Sequence, residues 1–208
     1  MKTNFESVME DHGVNQMSQM AMIELPRIIL ASASPRRAEI LRTVGWPFEI
    51  LPVDIDETRH AAESAVDYVQ RLACEKAEAA TIWRPESIVV AADTTVAVDD
   101  HILEKPADEP DAQKMLRLLN NRWHTVLTGV AVIDPRTSKT VVAYEETQVK
   151  FAAMSDEEIR WYVSTGEPMD KAGAYAIQGL GSRFVAEIRG DYFNVVGLPV
   201  RLLYELMS

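Results

Sequence analysis

The sequence predicts a mixed α/β fold, on three observations. Strand-like and helix-like segments alternate from Arg27 onward, cap signals mark where several of the helices begin, and β-branched runs bounded by turn residues supply the strands. The bulk numbers agree. With 208 residues, 47% of them hydrophobic and 25% charged, the chain suffices for one α/β domain or two small lobes with a sizeable core. No disulfide or structural metal is needed for stability. The single cysteine, Cys74, sits in a helical pattern without a second cysteine or a ligand-spaced histidine, which points to a reducing, cytoplasmic setting.

Residues 1–24 are polar, acidic and methionine-rich without sustained periodicity. They are expected to form a loosely ordered extension, with a start at Met20 or Met22 and a functional tail equally open. The folded domain is expected over residues 25–208. Ile28–Ala31 reads as a short strand, followed by Ser34 at an N-cap and Pro35 at the first position of a helix that runs to about Gly45. Ser64 and Asp67 give a capping-box-like start to a second helix, continued through Leu72, Lys76 and Ala80. Ser87–Ala92 is a β-branched run ending at Asp93. Residues 94–98 and Ile102–Leu103 read as strands around an Asp99-Asp100 turn, and Pro110 opens a third helix to about Asn120. Thr125–Ile133 and Thr140–Phe151 flank Asp134-Pro135-Arg136-Thr137 as a hairpin near the sheet centre or edge. Ser155 and Glu158 form a capping box, Gly166 suits the stop of that helix, and Pro199–Met207 is a final helix with Leu202, Leu203 and Leu206 on its apolar face. No repeat or domain linker is evident.

Charge and hydropathy exclude several function classes. The net charge is −11 at pH 7, so long-range repulsion opposes a nucleic acid or an anionic membrane as partner. No apolar run approaches the ~20 residues that span a bilayer, and the N-terminus lacks the pattern of a signal peptide. A small anionic ligand fits, provided that local basic residues, helix N-termini or a divalent cation offset the acidic background.

One such place is Leu30-Ala31-Ser32-Ala33-Ser34-Pro35-Arg36-Arg37. Cations in a helix's first turn oppose its dipole by ~0.3–1 kcal/mol each. A bound phosphate would remove that conflict, taking the forks of Arg36 and Arg37 and hydroxyl contacts from Ser32 and Ser34. A capped helix with two solvated arginines is the plainer reading of the same short run. Carboxylates at strand or loop ends are the second signal. Asp93 can hold a divalent ion or deprotonate water, with Glu57 as a second oxygen ligand; magnesium suits such a sparse carboxylate set. A turn aspartate and a surface glutamate are the plainer alternative. Lys76 and Lys105 are either ordinary surface lysines or cations that neutralise charge on a leaving pyrophosphate. Residues 166–179 read as a loop-strand unit that brings backbone close to a ligand, and the Gln178 amide can read a base edge.

Together these residues resemble the Maf family of nucleoside triphosphate pyrophosphatases from Arg27 to the C-terminus. The likeness rests on the ordered series Ser32-Ala33-Ser34-Pro35-Arg36-Arg37, Asp56-Glu57-Thr58, Glu75-Lys76-Ala77, Ala92-Asp93-Thr94, Lys105-Pro106 and His124-Thr125-Val126-Leu127-Thr128-Gly129. It continues through Asp170-Lys171-Ala172-Gly173-Ala174-Tyr175, Ile177-Gln178-Gly179 and the stretch from Gly190 to Pro199. The resemblance implies an elongated, two-lobed mixed-sheet fold related to inosine triphosphate pyrophosphatases, with the nucleotide between the lobes. It implies hydrolysis between the α and β phosphates with a divalent cation, Mg2+ or Mn2+, and a homodimer. Asp93 would be the proton acceptor, and Ser32, Arg37, Glu57, Lys76 and Lys105 would bind phosphate or metal. Arg36, Thr94 and Gln178 are similar to the branch preferring dTTP and UTP. The branch acting on 7-methyl-GTP has a large aromatic, a glutamine and a glutamate there. The family's link to septum formation and cell division gives the alternative, a nucleotide-binding regulator. A nucleotidyl- or phosphotransferase would need an acceptor site, and none is recognisable.

Overall fold

The computed structural model describes residues 24–137 and 139–208. The extension predicted over residues 1–24 therefore lies, but for Glu24, outside the described residues. Strand β1 (Ile28–Leu30) leads through α1 (Pro35–Thr43) to β2 (Phe48–Ile50), and an irregular segment connects to α2 (Ala65–Thr81). Then follow β3 (Ile88–Val98), β4 (His101–Leu103), α3 (Glu109–Leu119), β5 (Trp123–Asp134), β6 (Lys139–Phe151) and α4 (Asp156–Ser164). Short 3-10 turns at Glu167–Asp170, Ala172–Ala174 and Gly179–Phe184 precede β7 (Val185–Arg189), α5 (Tyr192–Val196) and α6 (Val200–Leu206).

The helix starts follow local chemistry. Ser64 Oγ accepts from the Asp67 N–H, Asp108 caps α3 ahead of Pro110, and Ser155 with Glu158 closes a full capping box. Ser34 occupies the N-cap of α1, but its side chain makes no capping bond; its own N–H donates to Ser32 Oγ at 3.1 Å instead.

The strand order is β2-β1-β3-β5-β6-β7, with β4 paired to β3 off this path. β1 runs parallel to β2 and β3, and the other pairings are antiparallel, so the sheet is mixed. The predicted hairpin, β5 with β6, is its longest ladder, and both strands have neighbours on either side. The run ending at Asp93 and the strand at 94–98 are one element, the eleven-residue β3, and Asp93 lies inside it rather than at a strand end. The loop-strand unit expected over residues 166–179 contains 3-10 turns and no strand. Sequence reading gave no β2, β7 or α5.

One edge of β3 places the site. β5 occupies the other edge from Val89 to Ala97. On the open side β1 pairs only with Ile88–Val90 and β4 only with Val96–Val98, leaving residues 91–95 between them without a strand partner. Cores gather on either side of this gap. Leu30, Leu41, Val90 and Leu203 pack at the β1 end, and Val98, Leu116, Phe151 and Tyr162 at the β4 end. This gives the two lobes of the predicted fold. Helix α2 lies across β3 and β5 on an alanine stripe, Ala73, Ala77 and Ala80, all fully buried at helical spacing.

Candidate active site

The gap opens into a cleft of about 620 Å³, within the range of small-molecule sites. Its lining includes Ser32, Arg36, Arg37, Glu57, Lys76, Asp93, Thr94, Lys105 and Gln178, so every residue singled out from the sequence faces one cavity. Neighbours along a strand point to opposite faces. Asp93 and Thr94 both reach the cleft because the cavity wraps around an edge where β3 has no neighbour.

On the α2 side the centre is Lys76. Its Nζ lies 2.6 Å from Asp93 Oδ1 and 2.6 Å from Glu57 Oε1, so one ammonium joins a helix, a strand and the irregular segment before α2. Burial pushes the Asp93 carboxyl up, against the pull of Lys76 and Arg37. For the half-exposed Glu57, burial also pushes upward, but Lys76, Lys105 and Arg37 hold it below the usual carboxylate range. Tyr68, which the sequence reading passed over, donates its hydroxyl to the Glu57 carbonyl at 3.0 Å and fixes that loop. Its position about two helical turns before Lys76 in the same helix was the available signal.

On the opposite face of the sheet Arg37 enters from α1. Its Nε donates to the Gly197 carbonyl at 2.8 Å, Nη1 to Ser32 Oγ at 3.1 Å and Nη2 to Thr94 Oγ1 at 3.1 Å. Five N–H donors minus these bonds leave one on each terminal nitrogen for a ligand. Desolvation lowers the Arg37 pKa, which an anion in the cleft would counter. Proton directions behind Arg37 are fixed by elimination. Thr128 donates to the Asn194 carbonyl at 3.1 Å, so Thr94, 2.9 Å from Thr128 Oγ1, donates to Thr128 while accepting from Arg37. Asn194 in turn donates to Val126 O and Thr147 Oγ1. The Thr94 hydroxyl is thereby used in orienting Arg37. Asn194, a polar residue inside the apolar run Phe193–Val196, was the sequence signal for this network.

The remaining residues stand at the rim. Arg36 donates to Asp170 Oδ2 at 3.0 Å, and Lys171 donates to the same carboxylate and, at 2.7 Å, to the Glu167 carbonyl. Lys105 and Gln178 are exposed to the cleft, and neither side chain has a polar partner among the described residues. Glu57 and Asp93 are the predicted metal ligands. No group of three or more His, Cys, Asp or Glu able to hold a metal occurs among the described residues. Lys76 Nζ occupies the point on which Asp93 Oδ1 and Glu57 Oε1 converge, so the second oxygen of each carboxylate would serve a small hard cation that completes its shell with water and phosphate oxygens.

Residues 27–208 match the family model described as Maf-like protein. A dTTP/UTP pyrophosphatase of Symbiobacterium thermophilum is 50% identical over 184 residues, covering 88% of this chain and 94% of the relative. One from Koribacter versatilis is 51% identical over 180 residues, covering 86% and 92%, and one from Bacillus mycoides is 50% identical over 181 residues, covering 86% and 94%. Among solved structures, a HAM1 protein from Coxiella burnetii aligns with a TM-score of 0.50 at 14% identity, over 88% of this chain and 97% of that one. That likeness concerns the fold alone. No helix among the described residues is long and apolar enough to cross a membrane.

Proposed function

The chain belongs to the Maf family, and we propose that it hydrolyses dTTP and UTP to the nucleoside monophosphate and pyrophosphate. The observation that carries this reading is the juxtaposition in one cleft of the Asp93–Lys76–Glu57 centre with the Arg37–Ser32 cradle on the other side of the β3 edge. The relatives' names supply the substrates.

In this mechanism the triphosphate lies against Arg37 and Ser32, with Arg36 exchanging Asp170 for phosphate oxygens. Asp93 accepts a proton from a water as its oxygen bonds to the α phosphorus. The bond from that phosphorus to the bridging oxygen breaks, and pyrophosphate leaves with its charge met by Lys105 and the arginines. Lys76 keeps Asp93 and Glu57 pointed at one spot. Glu57 and Asp93 would hold a Mg2+ or Mn2+, whose chemistry is to neutralise phosphate charge and polarise the reacting phosphorus. Thr94 acts through Arg37, and Gln178 offers its free amide to the N3–H and O4 edge of uracil or thymine. We place the protein in the cytoplasm, as a homodimer.

The test is pyrophosphate release with magnesium or manganese over dTTP, UTP, CTP, GTP, ATP and 7-methyl-GTP. Conversion restricted to dTTP and UTP supports the reading. Tight nucleotide binding without turnover would instead favour the regulator. Asp93→Asn should keep nucleotide binding and lose turnover by about 10²–10⁴-fold, and retained activity would remove Asp93 from the role of base.

A further inference from the structure

Gln178 is held at the cleft by residues that do not line it. Ile177 beside it is buried in the core, and Gln178 itself is exposed. The backbone on either side is pinned by two side chains from the end of α4 and the turn after it. The Tyr162 hydroxyl donates to Glu167 Oε1 at 2.8 Å and accepts from the Ala176 N–H at 3.2 Å. The same carboxylate accepts from the Gly181 N–H on Oε1 and the Leu180 N–H on Oε2, both at 2.9 Å. The span from Ile177 to Gly179 is thus strung between anchored amides. Gly179 has φ +73°, and a Cβ there would lie 2.6 Å from Glu167 Oε2, so the backbone is drawn onto the carboxylate. Tyr162 is fully buried, and neither it nor Glu167 touches the cavity.

Resting on the dTTP/UTP reading above, we propose that Glu167 is a positioning residue for base selection: with Tyr162 it sets how far the Gln178 amide reaches into the cleft. Reach matters because the N1–H and O6 edge of guanine repeats the donor-acceptor pattern of the N3–H and O4 edge of uracil and thymine. In guanine that edge lies farther from the sugar by the width of the fused five-membered ring. An amide fixed at one distance pairs with the pyrimidine and rejects the purine; a loosened one accommodates both. The carboxylate is needed rather than its amide. With a glutamine oxygen kept on Tyr162 and Gly181, its NH2 would face the Leu180 N–H, donor against donor, and release that anchor. Burial tends to raise the Glu167 pKa, but the Leu180 and Gly181 N–H groups, Tyr162 and Lys171 keep it below the ordinary range.

The test is a double-mutant cycle of wild type, Glu167→Gln, Gln178→Ala and the double variant. Each is measured with dTTP and dGTP by kcat and KM and by equilibrium binding, with folding followed by circular dichroism. Glu167→Gln is expected to lower the dTTP/dGTP preference about tenfold, the scale of one polar contact to a base. The change should lie mainly in KM, and it should vanish in the Gln178→Ala background. An equal effect in both backgrounds, an unchanged preference, or a kcat loss common to both nucleotides would overturn the proposal. If Glu167→Gln does not fold, Tyr162→Phe, which frees the Ala176 anchor, replaces it in the same cycle. A wild type without turnover would overturn the activity reading, while the binding ratios would still decide the role of Glu167.

Discussion

Gly129→Ala tests whether the seat of α2 on the sheet sets the geometry of the Lys76 centre. Gly129 is the partner of Asp93 across β3 and β5, and α2 crosses this pair with backbone against backbone. A Cβ at Gly129 would lie 2.3 Å from the Val69 carbonyl oxygen, 2.5 Å from its carbon and 2.8 Å from the Gln70 nitrogen. Comfortable contact begins near roughly 3.5 Å, so helix and strand must part by about 1 Å. No rotamer change relieves a clash between a methyl and main chain. The cost therefore falls at the upper end of the overpacking range, about 3 kcal/mol, lowering Tm by about 6–12 °C for a domain of this size. Lys76 follows Val69 by two helical turns on the same face, so the displacement carries into its 2.6 Å bond with Asp93. A misplacement of about 1 Å corresponds to about 10²-fold in turnover. Thermal melts and pyrophosphate release at saturating dTTP measure both effects. A variant that melts within a degree or two of wild type and retains kcat would refute the packing argument. Lost stability with retained kcat would refute the coupling of α2 to the site.

Three further outcomes follow from the site and the core. Asp93 must be ionised to accept a proton and burial raises its pKa, so kcat/KM should fall with decreasing pH through a limb above the ordinary aspartate value of 3.8; a limb below it in the pH profile would count against Asp93 as the base. Arg37→Lys cannot reproduce the three-way bond to Gly197, Ser32 and Thr94, and should lower kcat/KM by about 10²-fold at unchanged net charge, measured by steady-state kinetics. His124 is buried and neutral, its pKa held down by desolvation from 6.5 to about 4. A histidine depressed in the folded state stabilises it above the unfolded pKa, so that contribution, about 3 kcal/mol, is lost between pH 6.5 and 4. Urea unfolding of wild type and His124→Gln at pH 7 and pH 4 should show the smaller pH dependence in the variant.

Much of the fold was legible because its signals are local. The capping residues Ser64 and Ser155, the prolines at positions 35 and 110 and the periodicity of α2 lie within a few residues of what they determine. Both long strands show their β-branched alternation directly. β2 was missed because three residues carry no period, and α5 because five make barely one turn with an asparagine inside it. The error at Asp93 has another origin. Asp93-Thr94-Thr95 interrupts an apolar run, and polar residues between apolar ones read as the end of a strand. They continue the strand here because β5 pairs with β3 without a break from Val89 to Ala97, while the pairing of β1 ends at Val90 and that of β4 begins at Val96, which no local pattern in β3 can reveal. The candidate residues were found by chemical type, yet their division into two opposed groups follows from that same interruption. Where the sheet lacks a neighbour, the alternation that normally separates Asp93 from Thr94 instead turns both toward one cavity, bringing Lys76 in from α2 and Arg37 from α1. A strand filling residues 91–95 would satisfy more backbone hydrogen bonds, but it would also occupy the space in which the carboxylates and the arginine face each other.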